Sequence, residues 1–263
     1  WHLETLAVNT TQDVFVDETK CTDDTVTYNA TTNLASVLNF AATNQDYVKV
    51  NSLRNDLAGT DRSVFMWVKT DTNVAGEAEY FFAINKANSG TRSLVGVSTT
   101  EKLAVWDGED IRQGTTDLGD DKWHFVGYTY EESTGLTKMY VDGVFERDFT
   151  DKHSATTTDR ISLGQRYSGA GATTGRHFNG GMTEVSVWNT VLTATEVADM
   201  MTKGIPNTHA QYANLVGYYN YPAHGQSATT LYDHSGKNNH GTLQNFEIDF
   251  QNLTTVEGFN GAN

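Results

Sequence analysis

The feature that most constrains the fold of this chain is a recurrence of short runs rich in Val, Tyr, Phe, Trp and Thr, broken by clusters of Gly, Asn, Asp and Ser. Side chains of that kind suit a pleated surface, and the clusters between them supply turns. The clearest runs lie at 47–51, 63–70, 79–86, 102–107, 122–131, 136–142, 160–165, 182–189 and 215–221. In the run at 63–70, Val64, Met66 and Val68 alternate with Phe65, Trp67 and Lys69, so both faces are largely apolar. A strand with two apolar faces belongs in the middle of a sheet, covered on both sides. Runs of this kind predict an all-β chain built as a two-sheet antiparallel sandwich.

Two local patterns sharpen that expectation. Asp142-Gly143 stands between two β-runs, and both residues tolerate the positive φ of a type I′ turn, which predicts a tight hairpin over 138–146. One stretch breaks the β pattern. Thr193-Ala194-Thr195-Glu196 has capping-box spacing, Val197, Met200 and Met201 share a helical face, and Gly204 can end the helix, so one short helix is expected near 194–203. Residues 1–35 carry less periodic apolar signal and read as an N-terminal extension or linker; 251–263 read as a polar, glycine-containing tail, leaving 36–250 as the domain.

A chain of 263 residues can bury a full core without cross-links. That matters because Cys21 is the single cysteine, which excludes an intrachain disulfide, a cysteine metal cage and a dithiol redox pair. The formal charge of −15 repels phosphate backbones and anionic headgroups, so nucleic acid is not an expected partner. Membrane insertion is not expected either, because the sequence has no apolar run of about eighteen residues. The start, Trp1-His2-Leu3-Glu4, lacks a signal-peptide pattern, so if the protein is secreted the sequence is a mature piece or an excised domain.

Several blocks, taken in order, resemble one family. Ser36-Val37-Leu38-Asn39-Phe40 with Asn44-Gln45-Asp46-Tyr47-Val48 resembles the opening of laminin-G-like bacterial domains of the concanavalin A-like lectin and glucanase type. Phe65-Met66-Trp67-Val68-Lys69 is similar to their second strand, and Asp121-Lys122-Trp123-His124-Phe125-Val126 with Lys138-Met139-Tyr140-Val141-Asp142-Gly143 to their central pair. The segment from Phe178 to Asn189 resembles the strand before the family's short helix, and Leu215-Val216-Gly217-Tyr218-Tyr219-Asn220 with the stretch from Asp233 to Leu243 completes the set. The resemblance implies a jelly roll, secreted or at the cell surface, often binding glycans, often holding calcium, and frequently a domain of a larger protein. It names no ligand, because function on such scaffolds is carried by loops.

Pentraxins, relatives of this fold, resemble the chain at Ile161-Ser162-Leu163-Gly164-Gln165, but their acidic calcium-binding segment is replaced here by Arg166, Tyr167 and Ser168. The acidic pair expected near Thr91 and Arg92 is missing as well, so a pentraxin-type double calcium site is not expected. A single structural calcium ion remains the expectation, with Asp46 and the turn holding Asp233 and Asn239 as candidate ligands. An Asx-type turn that caps its own backbone is the other reading of Asp233 and Asn239. The family's usual Asp is replaced by Thr183, which weakens any ligand carried over near Glu184.

Glycans are held by aromatic faces with polar side chains beside them. Trp67, Trp123 and Trp188 match family positions that face the core. Trp106 ends a run beside Asp107 and near Arg112, where its ring is either a platform at a loop rim or part of the core. A second candidate patch is Arg166 and Tyr167 on one side of the loop 168–175, with Arg176 and His177 on the other; an ordinary solvated loop is its alternative. Glu247-Ile248-Asp249-Phe250-Gln251-Asn252 begins like the motif of the glucan-cleaving branch but offers Gln or Asn where a second carboxylate is needed, so it reads as a coincidental edge strand. His124 reads as a packed, hydrogen-bonded residue. The sequence thus points to a non-catalytic, monomeric carbohydrate-binding domain. A protein-binding or spacer domain of an adhesin and, more remotely, a glycan-cleaving enzyme are the alternatives.

Overall fold

The computed structural model describes residues 37–70, 78–86, 91–106, 110–166, 176–220 and 229–246, and among these two antiparallel sheets pack face to face. The strands are β1 (Leu38–Phe40), β2 (Tyr47–Lys49), β3 (Arg62–Thr70), β4 (Glu79–Asn85), β5 (Thr91–Val97), β6 (Lys102–Trp106), β7 (Ile111–Asp117) and β8 (His124–Tyr130). They continue as β9 (Leu136–Val141), β10 (Val144–Thr150), β11 (Arg160–Leu163), β12 (Gly180–Trp188), β13 (Leu215–Tyr219), β14 (Thr230–Leu231) and β15 (Gly241–Gln244). A helical turn, α1 (Arg54–Leu57), and a longer helix, α2 (Ala194–Lys203), accompany them. One sheet runs β1-β12-β3-β8-β9-β10 with β13 also on β12, and the other runs β14-β15-β2-β11-β4-β5-β6-β7. Among the described residues no helix is long and apolar enough to cross a membrane.

Strand β3 lies between β12 and β8, the interior place its two apolar faces required. Val64, Met66 and Val68 enter the inter-sheet core with Val126, Tyr128, Met139 and Val187, facing Phe82, Ile84, Val95, Val105 and Leu163 of the other sheet. Phe65 and Trp67 point the opposite way, into a second cluster with Phe125, Tyr140, Trp188, Val197 and Met200. Trp67, Trp123 and Trp188 therefore pack beneath α2 on the outside of the seven-stranded sheet rather than between the sheets. Helix α2 is held at its start by the expected reciprocal cap: Thr193 Oγ1 accepts from Glu196 N at 3.2 Å and Glu196 Oε2 accepts from Thr193 N at 2.7 Å. Gly204 ends it at φ 70.

The hairpin β9–β10 turns at Asp142 and Gly143, with φ of 50 and 74. The Asp142 carboxylate accepts from Phe125 N at 3.0 Å and meets His124 Nδ1 at 2.8 Å, while His124 Nε2 meets Asp120 Oδ1 at 3.0 Å. Burial alone would lower the His124 pKa, but the two carboxylates outweigh it and raise the value.

Strands β5 and β7 fall outside the sequence expectations. Strand β7 is an edge strand whose residues are polar apart from Ile111 and Gly114 and are half-buried or exposed, so it carries no alternating apolar signal. Strand β5 includes Gly96, where a Cβ would lie 2.0 Å from the Glu79 carbonyl oxygen, so a close backbone approach rather than β-propensity selects the residue.

Candidate functional site

The outer face of the eight-stranded sheet is built by alternation. Leu103 and Val105 of β6 enter the core, so Ala104 and Trp106 face outward. Trp106 lies opposite Leu94 and packs half-buried on a small cluster of Ala78, Tyr80, Ala83 and Leu94. Its ring meets Tyr80 edge to face, with centroids 5.0 Å apart. Tyr80 is fully buried, and its hydroxyl accepts from Arg176 Nη1 at 2.7 Å. Two patches that are separate in the sequence, one at Trp106 and one around Arg176, therefore meet through Tyr80. Tyr80 had escaped the sequence reading because it sits in an otherwise core-like run; its phenol among apolar neighbours was the only available signal.

The segment carrying Arg176 is pinned from several sides. Gln165 and His177 form an isolated antiparallel bridge, and Phe178 N donates to the Gly164 carbonyl at 2.8 Å. Gly164 has φ 79, and a Cβ there would sit 2.2 Å from the Phe40 ring, so only glycine lets β11 turn into this bridge. Asn179 N donates to Glu79 Oε2 at 3.0 Å, and Asn179 Oδ1 accepts from Ala42 N at 3.2 Å. Antiparallel register beyond the Gln165–His177 bridge makes Arg166 and Arg176 the next facing pair. His177 is buried, which lowers its pKa, so it is neutral at neutral pH.

Arg112 does not join this surface, which corrects the grouping made from the sequence. In β7, Ile111 stands beside Trp106, whereas Arg112 stands beside core-facing Val105. Its guanidinium instead meets Asp110 Oδ2 at 3.0 Å and Asp151 Oδ2 at 2.9 Å, lying 5.5 Å from the Phe149 ring centroid. Asp107 and Tyr167 lie outside the described residues, as do Glu247 and Asp249.

The metal candidates fall at two separate places. Asp46 precedes β2, at the Gln244 end of the β2–β15 ladder, whereas Asn239 precedes the Gly241 end of β15, so one ion cannot use both. Asp46 Oδ2 accepts from Ala41 N at 2.8 Å, closing the turn between β1 and β2. Asp233 Oδ1 accepts from Tyr218 N at 2.9 Å and Ser235 N at 2.8 Å, while its Oδ2 accepts from Ser235 Oγ and Asn239 N, both at 2.8 Å. Asn239 Nδ2 donates to Asp56 Oδ2 at 2.9 Å and to the Val216 carbonyl at 2.8 Å. Four donors fill the lone-pair positions of the Asp233 carboxylate. The geometry is the self-capping turn, and Asp233 and Asn239 as placed do not fit a hard cation. Among the described residues no three His, Cys, Asp or Glu side chains gather as a metal set.

A recess on the other sheet is bounded by Trp67, Phe125, Glu184, Ser186, Met200, Gly204 and Ile205. Glu184 sits in a β-bulge at φ 52 and accepts from the Tyr218 hydroxyl. With a volume of about 10 Å³ the recess has room for one water and none for a sugar ring.

The family model described as the concanavalin A-like lectin/glucanases superfamily matches residues 42–198. A candidate carbohydrate binding protein of Bacteroides ovatus superposes with a TM-score of 0.56 at 18% identity, over 80% of this chain and 58% of that one. The Ruminococcus gnavus IT-sialidase CBM40 superposes with a TM-score of 0.51 at 11% identity, over 63% of this chain and 96% of the other. The NanB sialidase of Streptococcus pneumoniae gives 0.50 at 16% identity, over 65% of this chain but 27% of the sialidase. The chain thus spans little more than half of the Bacteroides protein, and at these identities the likeness is one of fold. No match was found among curated proteins.

Proposed function

The chain belongs to the concanavalin A-like lectin/glucanase superfamily, and on that premise we propose that it is a non-catalytic extracellular module that binds carbohydrate on the outer face of its eight-stranded sheet. The observation that carries the reading is the contact series Trp106, Tyr80, Arg176, which joins a half-buried indole to a cationic donor on one surface. An indole offers a flat apolar face to the C–H side of a pyranose, and guanidinium N–H groups serve its oxygens. The CBM40 and the Bacteroides protein share the fold and support the same reading.

Affinity electrophoresis against a panel of neutral and acidic polysaccharides tests it. Retardation that disappears in Trp106→Ala is expected, and free migration in every gel sinks the proposal. A location outside the cell, as part of a larger surface or secreted protein, belongs to the same proposal. Calcium enters only as a structural ion near Asp46, since Asp233 is saturated with donors. Melting that rises with added calcium and falls with chelator is its check, and identical melting under both conditions removes it.

A further inference from the structure

Building on the carbohydrate reading, we infer that the ligand is an acidic glycan whose sugar carboxylate is held between Arg166 and Arg176. The antiparallel bridge at Gln165 and His177 sets these arginines opposite each other, and like charges directly opposite on paired strands repel. The chain has ample carboxylates to neutralise them, with 33 acidic against 18 basic side chains. Four of its lysines are neutralised in this way: Lys69 meets Asp121, Lys102 meets Asp117, Lys122 meets Asp120 and Lys203 meets Asp199. Among the described residues Arg166 and Arg176 meet no carboxylate. Arg176 also holds its backbone at φ 69, a left-handed conformation that costs an ordinary side chain energy.

One further group lacks a partner at the same place. Among the described residues the Arg166 Nε is buried with no acceptor. Buried polar groups are normally paired, so a guanidinium donor without an acceptor marks a place where a ligand completes the bonding. A planar carboxylate matches a guanidinium fork in two parallel hydrogen bonds, which a neutral hydroxyl cannot do. Arg176 is steadied by its bond to the Tyr80 hydroxyl, and Trp106 on the far side of Tyr80 supplies the apolar face for the same or the adjoining sugar ring. His177, neutral through burial, adds no charge to the pair.

The test is titration calorimetry of the whole chain with trigalacturonate and galactotriose, with sialyllactose and lactose, and with a sulfated galactan. At least one acidic sugar is expected to bind about tenfold or more tightly than its neutral counterpart, more weakly as salt rises. Arg166→Gln and Arg176→Gln each weaken it about tenfold at unchanged melting temperature, whereas Arg147→Gln, on β10 of the other sheet, leaves it unchanged. Should a Gln variant misfold, Arg166→Lys and Arg176→Lys keep the charge without the fork and are expected to weaken binding in the same direction. Equal binding of acidic and neutral sugars overturns this inference and leaves the carbohydrate reading standing. Binding of the sulfated galactan alone also overturns it, and silence toward every sugar, neutral polysaccharides included, overturns both.

Discussion

Acidification is expected to destabilise this fold through one buried histidine. Arg62 opens β3 and is fully buried, with its guanidinium 3.9 Å from the Tyr130 ring centroid and its Nε donating to the Tyr128 hydroxyl at 3.1 Å. Its Nη2 bonds to His153 Nδ1 and donates to the His153 carbonyl at 3.1 Å. His153 must therefore accept at Nδ1 and carry its proton on Nε2, which donates to Thr137 Oγ1 at 3.0 Å. Burial first, and then the adjacent Arg62 charge, push the His153 pKa down to about 2 from an ordinary 6.5. As pH falls through 6.5 the unfolded chain takes up a proton that the folded chain refuses, so stability is complete above that value and lost below it, down toward about 2. From neutral pH to about pH 4 the loss from this group alone is about 3 kcal/mol. Urea unfolding of the parent and of His153→Gln at both pH values isolates it, because the other titrating groups are common to the pair. The variant starts from a lower stability but should lose about 3 kcal/mol less on acidification. Equal losses in the two proteins would refute the assignment of His153 as a buried neutral acceptor of Arg62.

Three further outcomes are expected. Thr193→Ala removes the reciprocal cap of α2 and should cost about 1 kcal/mol in chemical denaturation without altering glycan retardation. Gly96→Ala forces a Cβ against the Glu79 carbonyl at 2.0 Å, so β4 and β5 must part, and a loss of about 2 kcal/mol or more is expected by thermal melting. Trp106→Phe should keep most sugar binding while Trp106→Ala abolishes it, and circular dichroism should show both folded; equal retardation of the two in affinity gels would place the sugar elsewhere.

The sandwich was legible because its signals are local. Alternation in 63–70, the Asp142-Gly143 turn and the Thr193 to Glu196 spacing each encode a backbone geometry within a few residues. Strands β5 and β7 were not legible, because an edge strand need not be apolar and Gly96 answers to a neighbour distant in sequence. Asp233 showed its carboxylate but not its four donors, one of which, Tyr218 N, comes from a strand distant in the chain.

By itself, then, the sequence determined the layers of this protein: which residues face inward, where the chain turns, and which side chains are aromatic or charged enough to recognise a ligand. Only the tertiary structure decided which of those side chains share a surface. Alternation put Arg112 against Asp151 and away from Trp106, and the fold set Tyr80 between Trp106 and Arg176 across strands far apart in the chain. The physical reason is that periodicity fixes a side chain's face relative to its own strand, whereas its neighbours depend on strand order and register, which arise when the whole core packs.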